Sequence, residues 1–231
     1  MLSFASPADA DQIQVGFSGS SYGPYQTGLG GEFTLHPLTG WLNLSGYSAQ
    51  TKDQGPSISS FQTFCIEENE YLYPYDATYE GVLTGQAENG GKGGPHPDPI
   101  SRGTAYLYSQ FAQGTLAGYN YGANRSVSAA ALQEAIWWLE EEIPSYTNGN
   151  IFINLVASQF SLATIRELNA TAGQYGVYVL NLSGAPNGVA QDQLYYKPSV
   201  GSASVPDSGT TLALLGLAMA GMVRALRRLA L

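Results

Sequence analysis

Cysteine is almost absent from this chain. Its 231 residues include one, Cys65, and a single thiol excludes an intrachain disulfide and any cysteine-built zinc site. Histidine is nearly as scarce, His36 and His96 alone, so no metal or cofactor is expected. Charge is thin: 12% of the residues are Asp, Glu, Lys or Arg, about half the ~25% of ordinary domains, which argues against a coiled coil or a disordered polyelectrolyte. Positive charge is scarcer still. Nine Lys and Arg face eighteen Asp and Glu, for a net charge of -9. Three of the nine, Arg224, Arg227 and Arg228, crowd the extreme C-terminus, which leaves residues 1–205 strongly acidic. Such a surface repels phosphate backbones, and nucleic acid is not expected as a partner. GxxxxGK[ST], GxGxxG and HExxH are all missing, which removes several familiar enzyme classes.

What is present is a 44% hydrophobic fraction, sixteen tyrosines, 28 glycines and 12 prolines. That composition predicts one domain with a real core and many turns. Alternation at Ile13/Val15/Phe17, Glu32–Leu35 and Trp41–Leu44 predicts three strands, and Gln62–Ile66 a fourth. A polar, Tyr-rich stretch fills residues 67–79. The glycines and prolines of residues 90–99 form a loop. Ser101 reads as the N-cap of a helix to about Ala117. A second helix is expected from about Ser128 to Ile143, stopped by Pro144, and a third over roughly 150–170. Tyr175–Leu182 and Val189–Tyr196 close the domain as strands. Strands, then helices, then strands predict an α+β fold over residues 11–197: an antiparallel, barrel-like sheet with an inserted helical section, followed by a C-terminal hydrophobic helix.

The C-terminal 22 residues differ from the rest. Thr210–Val223 carries no charge and is followed by the three arginines. Fourteen helical residues reach only ~21 Å; adding residues 224–231, with arginine heads reaching the lipid phosphates, makes a full membrane span. Basic residues stay on the cytoplasmic side, so residues 1–205 are expected outside. Before the apolar run stands Val205-Pro206-Asp207-Ser208-Gly209, after a linker over 198–204. The tripartite tail over 205–231 resembles the VPDSG-type variant of the PEP-CTERM sorting signals. That resemblance implies recognition by an exosortase, a membrane peptidase, in envelope- or biofilm-forming bacteria. The expected location is exported, membrane-anchored through residues 210–231, then cell surface or extracellular matrix after processing. At the other end, Ala8-Asp9-Ala10 reads as a small-x-small cleavage site. Residues 1–10 are expected to be the remnant of a signal peptide and not part of the fold.

Two segments carry candidate chemistry: Thr63-Phe64-Cys65-Ile66-Glu67 and Leu132-Gln133-Glu134-Ala135-Ile136-Trp137. On the helix, Leu132, Ala135, Ile136, Leu139 and Ile143 form the core stripe, with Gln133 at its edge, within reach of solvent. Together the segments resemble the paired signatures of bacterial surface thioester domains, found in adhesins. The resemblance implies that the Cys65 sulfur and the Gln133 carbonyl condense with loss of ammonia. Holding the groups in contact supplies effective molarities of ~10⁵–10⁸ M. Phe64 and Trp137 would shield the carbonyl from water, and Glu67 or Glu134 would shuttle the proton. The function so implied is covalent capture of an amine or hydroxyl nucleophile on a partner, a single-use reaction and not an enzyme's turnover.

Bland alternatives stand beside this. Cys65 reads equally as a buried small hydrophobe, in a noncovalent envelope or matrix protein. Glu140, Glu141 and Glu142 read as a solvated acidic face or a calcium or partner site. Glu67, Glu68, Glu70 and Asp76 offer oxygen ligands for calcium without EF-hand spacing, or, remotely, the carboxylates of a carbohydrate-active enzyme. Tyr71, Tyr73, Tyr75 and Tyr79 suit the outside of a sheet or a sugar-stacking surface. His96 is read as a loop residue without a partner, and Arg102 and Arg125 as structural contacts.

Overall fold

The computed structural model describes residues 11–15, 23–40, 42–54, 58–88, 90–161, 164–184 and 190–198. The expected signal-peptide remnant (1–10), the linker beyond Pro198, the VPDSG segment and the C-terminal helix lie outside the described residues. Among the described residues no helix is long and apolar enough to cross a membrane.

Among the described residues the domain has ten short strands and three α-helices. In chain order these are β1 (Asp11–Val15), β2 (Gln26–Thr27), β3 (Gly30–Gly31), β4 (Phe33–Pro37), β5 (Phe61–Thr63), β6 (Thr78–Thr84), β7 (Gln86–Ala87) and β8 (Asp98–Pro99). Then come α1 (Arg102–Ala112), α2 (Arg125–Leu139), α3 (Ile151–Gln159), β9 (Val177–Ser183) and β10 (Gln193–Tyr196). Six strands make an antiparallel sheet in the order β10-β9-β6-β1-β4-β5. Its two ends meet. Just past β5, Cys65 pairs with Gln193 of β10 in an antiparallel bridge, supported by Leu194 N–H to Phe64 O at 3.1 Å and Ile66 N–H to Asp192 O at 3.1 Å. The sheet is therefore nearly a closed barrel, which leaves few unpaired edges. The α+β, antiparallel, barrel-like expectation holds at this level.

Period-two burial explains the strands. Ile13 and Val15 are buried while Gln12 is exposed, and Phe33 and Leu35 face the same core. β5 and β10 are buried on both faces because α1 packs over the seam. There Phe64 meets Phe111 edge-on at 4.9 Å, and Tyr108 Oη donates to Gln62 O at 3.1 Å. α1 starts where the Ser101 hydroxyl accepts the Thr104 N–H at 3.1 Å.

Several boundaries differ from the sequence reading. α1 ends at Ala112 and not near Ala117, because Gly114 turns the chain with φ +71°. α2 begins at Arg125 and ends at Leu139, before Pro144 is reached, and α3 stops at Gln159, well short of 170. The strand expected over Trp41–Leu44 is absent over its described residues, Leu42–Leu44: Asn43 Oδ1 accepts the Ser45 N–H at 2.9 Å, a local turn that competes with strand pairing. The final strands begin later, at Val177 and Gln193. β6, a central strand, was not expected at all. Gly81 breaks its apolar alternation, yet a Cβ there would crowd Ile13 Cδ1 at 2.5 Å and Leu180 Cδ1 at 2.9 Å, so neighbouring strands fill the space the glycine leaves.

Candidate functional site

Cys65 and Gln133, 68 residues apart in sequence, are in contact. The Cys65 Sγ–H donates to Gln133 Oε1 at 3.2 Å, and Gln133 Nε2 donates to Cys65 O at 2.9 Å. Barrel closure places the cysteine; the core stripe of α2 places the glutamine. Leu132, Ala135, Ile136 and Leu139 are buried as expected, whereas Ile143 lies beyond the helix.

The expectation that Gln133 borders solvent does not hold. It is 1% exposed and Cys65 0%. The cover is the small hairpin of β2 and β3, which packs on α2. Gly31 N–H donates to Gln133 Oε1 at 3.3 Å, and a Cβ on Gly30 would collide with Gln133 Cγ and come 2.8 Å from Trp137 Cη2. Through Gln26 and Leu29 the hairpin also lines a cavity of about 110 Å³ with Phe33, Tyr71 and Gln191.

A buried ion pair fixes this cover to α2. Arg125, at the start of the helix, grips Glu32 through both carboxylate oxygens at 2.7 Å, and Tyr119 Oη donates to the same carboxylate. Arg125 also donates to Gln50 O and lies over the Tyr25 ring, 3.9 Å from its centroid. Burial raises the Glu32 carboxyl, against the hydrogen bond and charge of Arg125. Glu32 was not singled out from the sequence; its place directly after two glycines gave no signal.

The supporting residues divide. Phe64 turns to Phe111 of α1. Trp137 is half-buried beside the centre; its indole N–H has no partner of hydrogen-bond geometry, yet lies close enough to Cys65 to favour a thiolate there. Burial foremost, then the Glu67 charge, pushes the thiol well above its ordinary value. Glu134 is drawn away from the pair: its carboxylate accepts from the Thr147 backbone and hydroxyl and from Asn150 Nδ2, at 2.7–3.0 Å. These bonds hold it below its ordinary range, against burial, which raises it. Glu67, 1% exposed, accepts the Asp192 N–H on Oε2 at 3.1 Å, and its Oε1 has no partner. Burial first, then Asp192 and Glu70, pushes its carboxyl well up.

The acidic run after α2 is not a solvated face. Glu140 and Glu142 are buried, and only Glu141 is exposed. Glu140 accepts the Ser101 N–H at 3.1 Å, and burial raises it to about 7. Glu142 accepts the N–H groups of Glu68, Lys92 and Gly93 at 2.9–3.2 Å, anchoring the glycine-rich loop. Among the described residues no three His, Cys, Asp or Glu side chains are grouped to hold a metal ion. Tyr71, Tyr73 and Tyr75 are exposed in an irregular segment, not on a sheet, while Tyr79 is buried in β6. His96 does have a partner, accepting the Gly90 N–H on Nδ1 at 2.8 Å. Arg102 donates to Asn169 O.

This geometry puts the Cys65 thiol beside an amide carbonyl, with one backbone N–H already on the oxygen that would carry charge in a tetrahedral intermediate. Residues 204–229 match the VPDSG-CTERM motif. The chain thus carries a PEP-CTERM-type sorting tail, the mark of an exported protein handled by an exosortase. Neither the curated proteins nor the solved structures provide a match to this chain.

Proposed function

We propose that the barrel domain is an exported attachment module that forms an internal thioester between Cys65 and Gln133 and uses it once to capture a partner's amine or hydroxyl. The observation that supports this is the 3.2 Å approach of Cys65 Sγ to the Gln133 carbonyl oxygen, in a buried setting with the Gly31 N–H on the same oxygen. Condensation releases ammonia; capture then joins the partner to the Gln133 acyl group and frees Cys65. Enclosure protects the bond from water, so capture requires the β2–β3 hairpin to move aside. In this reading residues 210–231 hold the protein in the membrane until exosortase processing delivers it to the surface or matrix.

The purified exodomain, treated with methylamine, tests it. Gain of one methylamine on Gln133, with a free thiol appearing at Cys65, supports capture; an inert chain with its thiol already free opposes it. The second reading is a noncovalent envelope or matrix protein. Complete burial favours it, since both ends of the Gln133 amide are paired as in a structural contact.

A further inference from the structure

We infer that Glu67 is the proton carrier of the Cys65–Gln133 centre, passing the thiol proton to the amide nitrogen as it leaves. The inference rests on the thioester reading and assigns the residue that drives it.

Placement comes first. Glu67 follows Cys65 by two residues, just past a bend at Ile66. The segment leading into β10 clamps it from across the barrel seam. Gln191 Nε2 donates to Glu67 O at 2.7 Å, and the Asp192 N–H to Oε2 at 3.1 Å. Each alternative acid is committed elsewhere: Glu134 to Thr147 and Asn150, Glu140 to Ser101, Glu142 to three backbone N–H groups. Glu70 also has an idle oxygen but is only partly buried. Glu67 alone of these combines near-complete burial with an unused oxygen, Oε1. An unsatisfied buried carboxyl oxygen is costly, and a catalytic role is one reason for a fold to keep one.

Electrostatics agrees. Burial foremost favours the protonated form of Glu67; Asp192 and Glu70, which face it, act the same way, and Glu88 and Glu142 face Glu70 in turn. Its charge, when present, is felt at the Cys65 thiol. Burial thus favours the protonated acid and the neutral thiol alike, and the step starts from these forms. As sulfur attacks the Gln133 carbonyl carbon, the S–C bond forms and the C–N bond breaks. The thiol proton passes to one oxygen of Glu67 while the other oxygen protonates the nitrogen, which departs as ammonia. Glu67 ends as it began, and nothing is oxidised or reduced. In capture the same carboxyl relays the proton of the incoming amine or hydroxyl to the Cys65 sulfur.

The test follows ammonia loss by intact mass in freshly folded wild type, Glu67→Gln, Glu67→Asp and Glu134→Gln, each first shown to melt cooperatively. Glu67→Gln should slow the loss roughly 10²-fold or more, Glu67→Asp should recover part of the rate, and Glu134→Gln should match wild type. The wild-type rate should fall in alkali as Glu67 loses its proton, and the Glu67→Gln rate should lack that fall, a difference that a purely structural role would not produce. Equal rates in wild type and Glu67→Gln overturn the role of Glu67 alone. A wild-type chain that never loses ammonia overturns the thioester reading and this role with it.

Discussion

Gly30 lacks a side chain where Gln133 needs the room: a Cβ on Gly30 would run into Gln133 Cγ. The close approach lets the neighbouring Gly31 N–H reach Gln133 Oε1, so the same contact that seals the centre also places its hydrogen-bond donor. Gly30→Ala forces the hairpin off α2. The expected cost is ~1–3 kcal/mol, seen in urea unfolding, together with faster reaction of the centre with methylamine.

The Glu32–Arg125 pair is buried, and its value lies in what its loss leaves behind. Removing one partner strands a charge in the core. Arg125→Met is expected to cost ~3–5 kcal/mol by chemical denaturation, more than any exposed ion pair, because the buried Glu32 carboxylate loses both Arg125 hydrogen bonds and is left with the Tyr119 hydroxyl.

Stability should fall as pH rises from about 4 to about 7, a window set by Glu140, raised by burial from 4.5 to about 7. Glu67 and Asp192 are also raised, burial being the main cause. An acid raised by folding holds its proton in the native state after the unfolded chain has released it, so the native state binds more protons and the slope of stability with pH is negative. Their favourable contribution is complete below the ordinary carboxylate range and lost above the folded values. Glu134, held low, runs the other way. A higher melting temperature at pH 5 than at pH 8 is the expected outcome, by calorimetry. Glu140→Gln should flatten the difference.

Trp137→Phe keeps a ring over the centre but removes the indole N–H that favours charge on sulfur. With the thioester reading, methylamine capture should slow roughly tenfold or more, in line with the loss of one charge-stabilising donor, while the melting temperature changes little.

The sorting tail and the two halves of the centre were legible because each is a local string: VPDSG ahead of an apolar run, Cys65 among strand residues, Gln133 beside a core stripe. Their contact was an expectation from resemblance. What brings it about, the Cys65–Gln193 bridge that closes the barrel, joins residues 128 positions apart and leaves no periodic trace. β6 was hidden because Gly81 owes its place to Ile13 and Leu180 on other strands. The acidic run Glu140–Glu142 misled for a related reason: charge predicts solvent until backbone N–H groups from distant loops, here those of Ser101, Lys92 and Gly93, turn out to surround it. The burial of Gln133 was missed because its cover is a hairpin of two two-residue strands, too short to show alternation.

The most direct measurement is the intact mass of freshly purified wild-type exodomain beside Cys65→Ala, followed by thiol alkylation after unfolding in acid. The account expects wild type to be one ammonia lighter than its sequence and to resist alkylation, and Cys65→Ala to show its full sequence mass. A wild-type chain at full mass, with Cys65 alkylated completely, would contradict it.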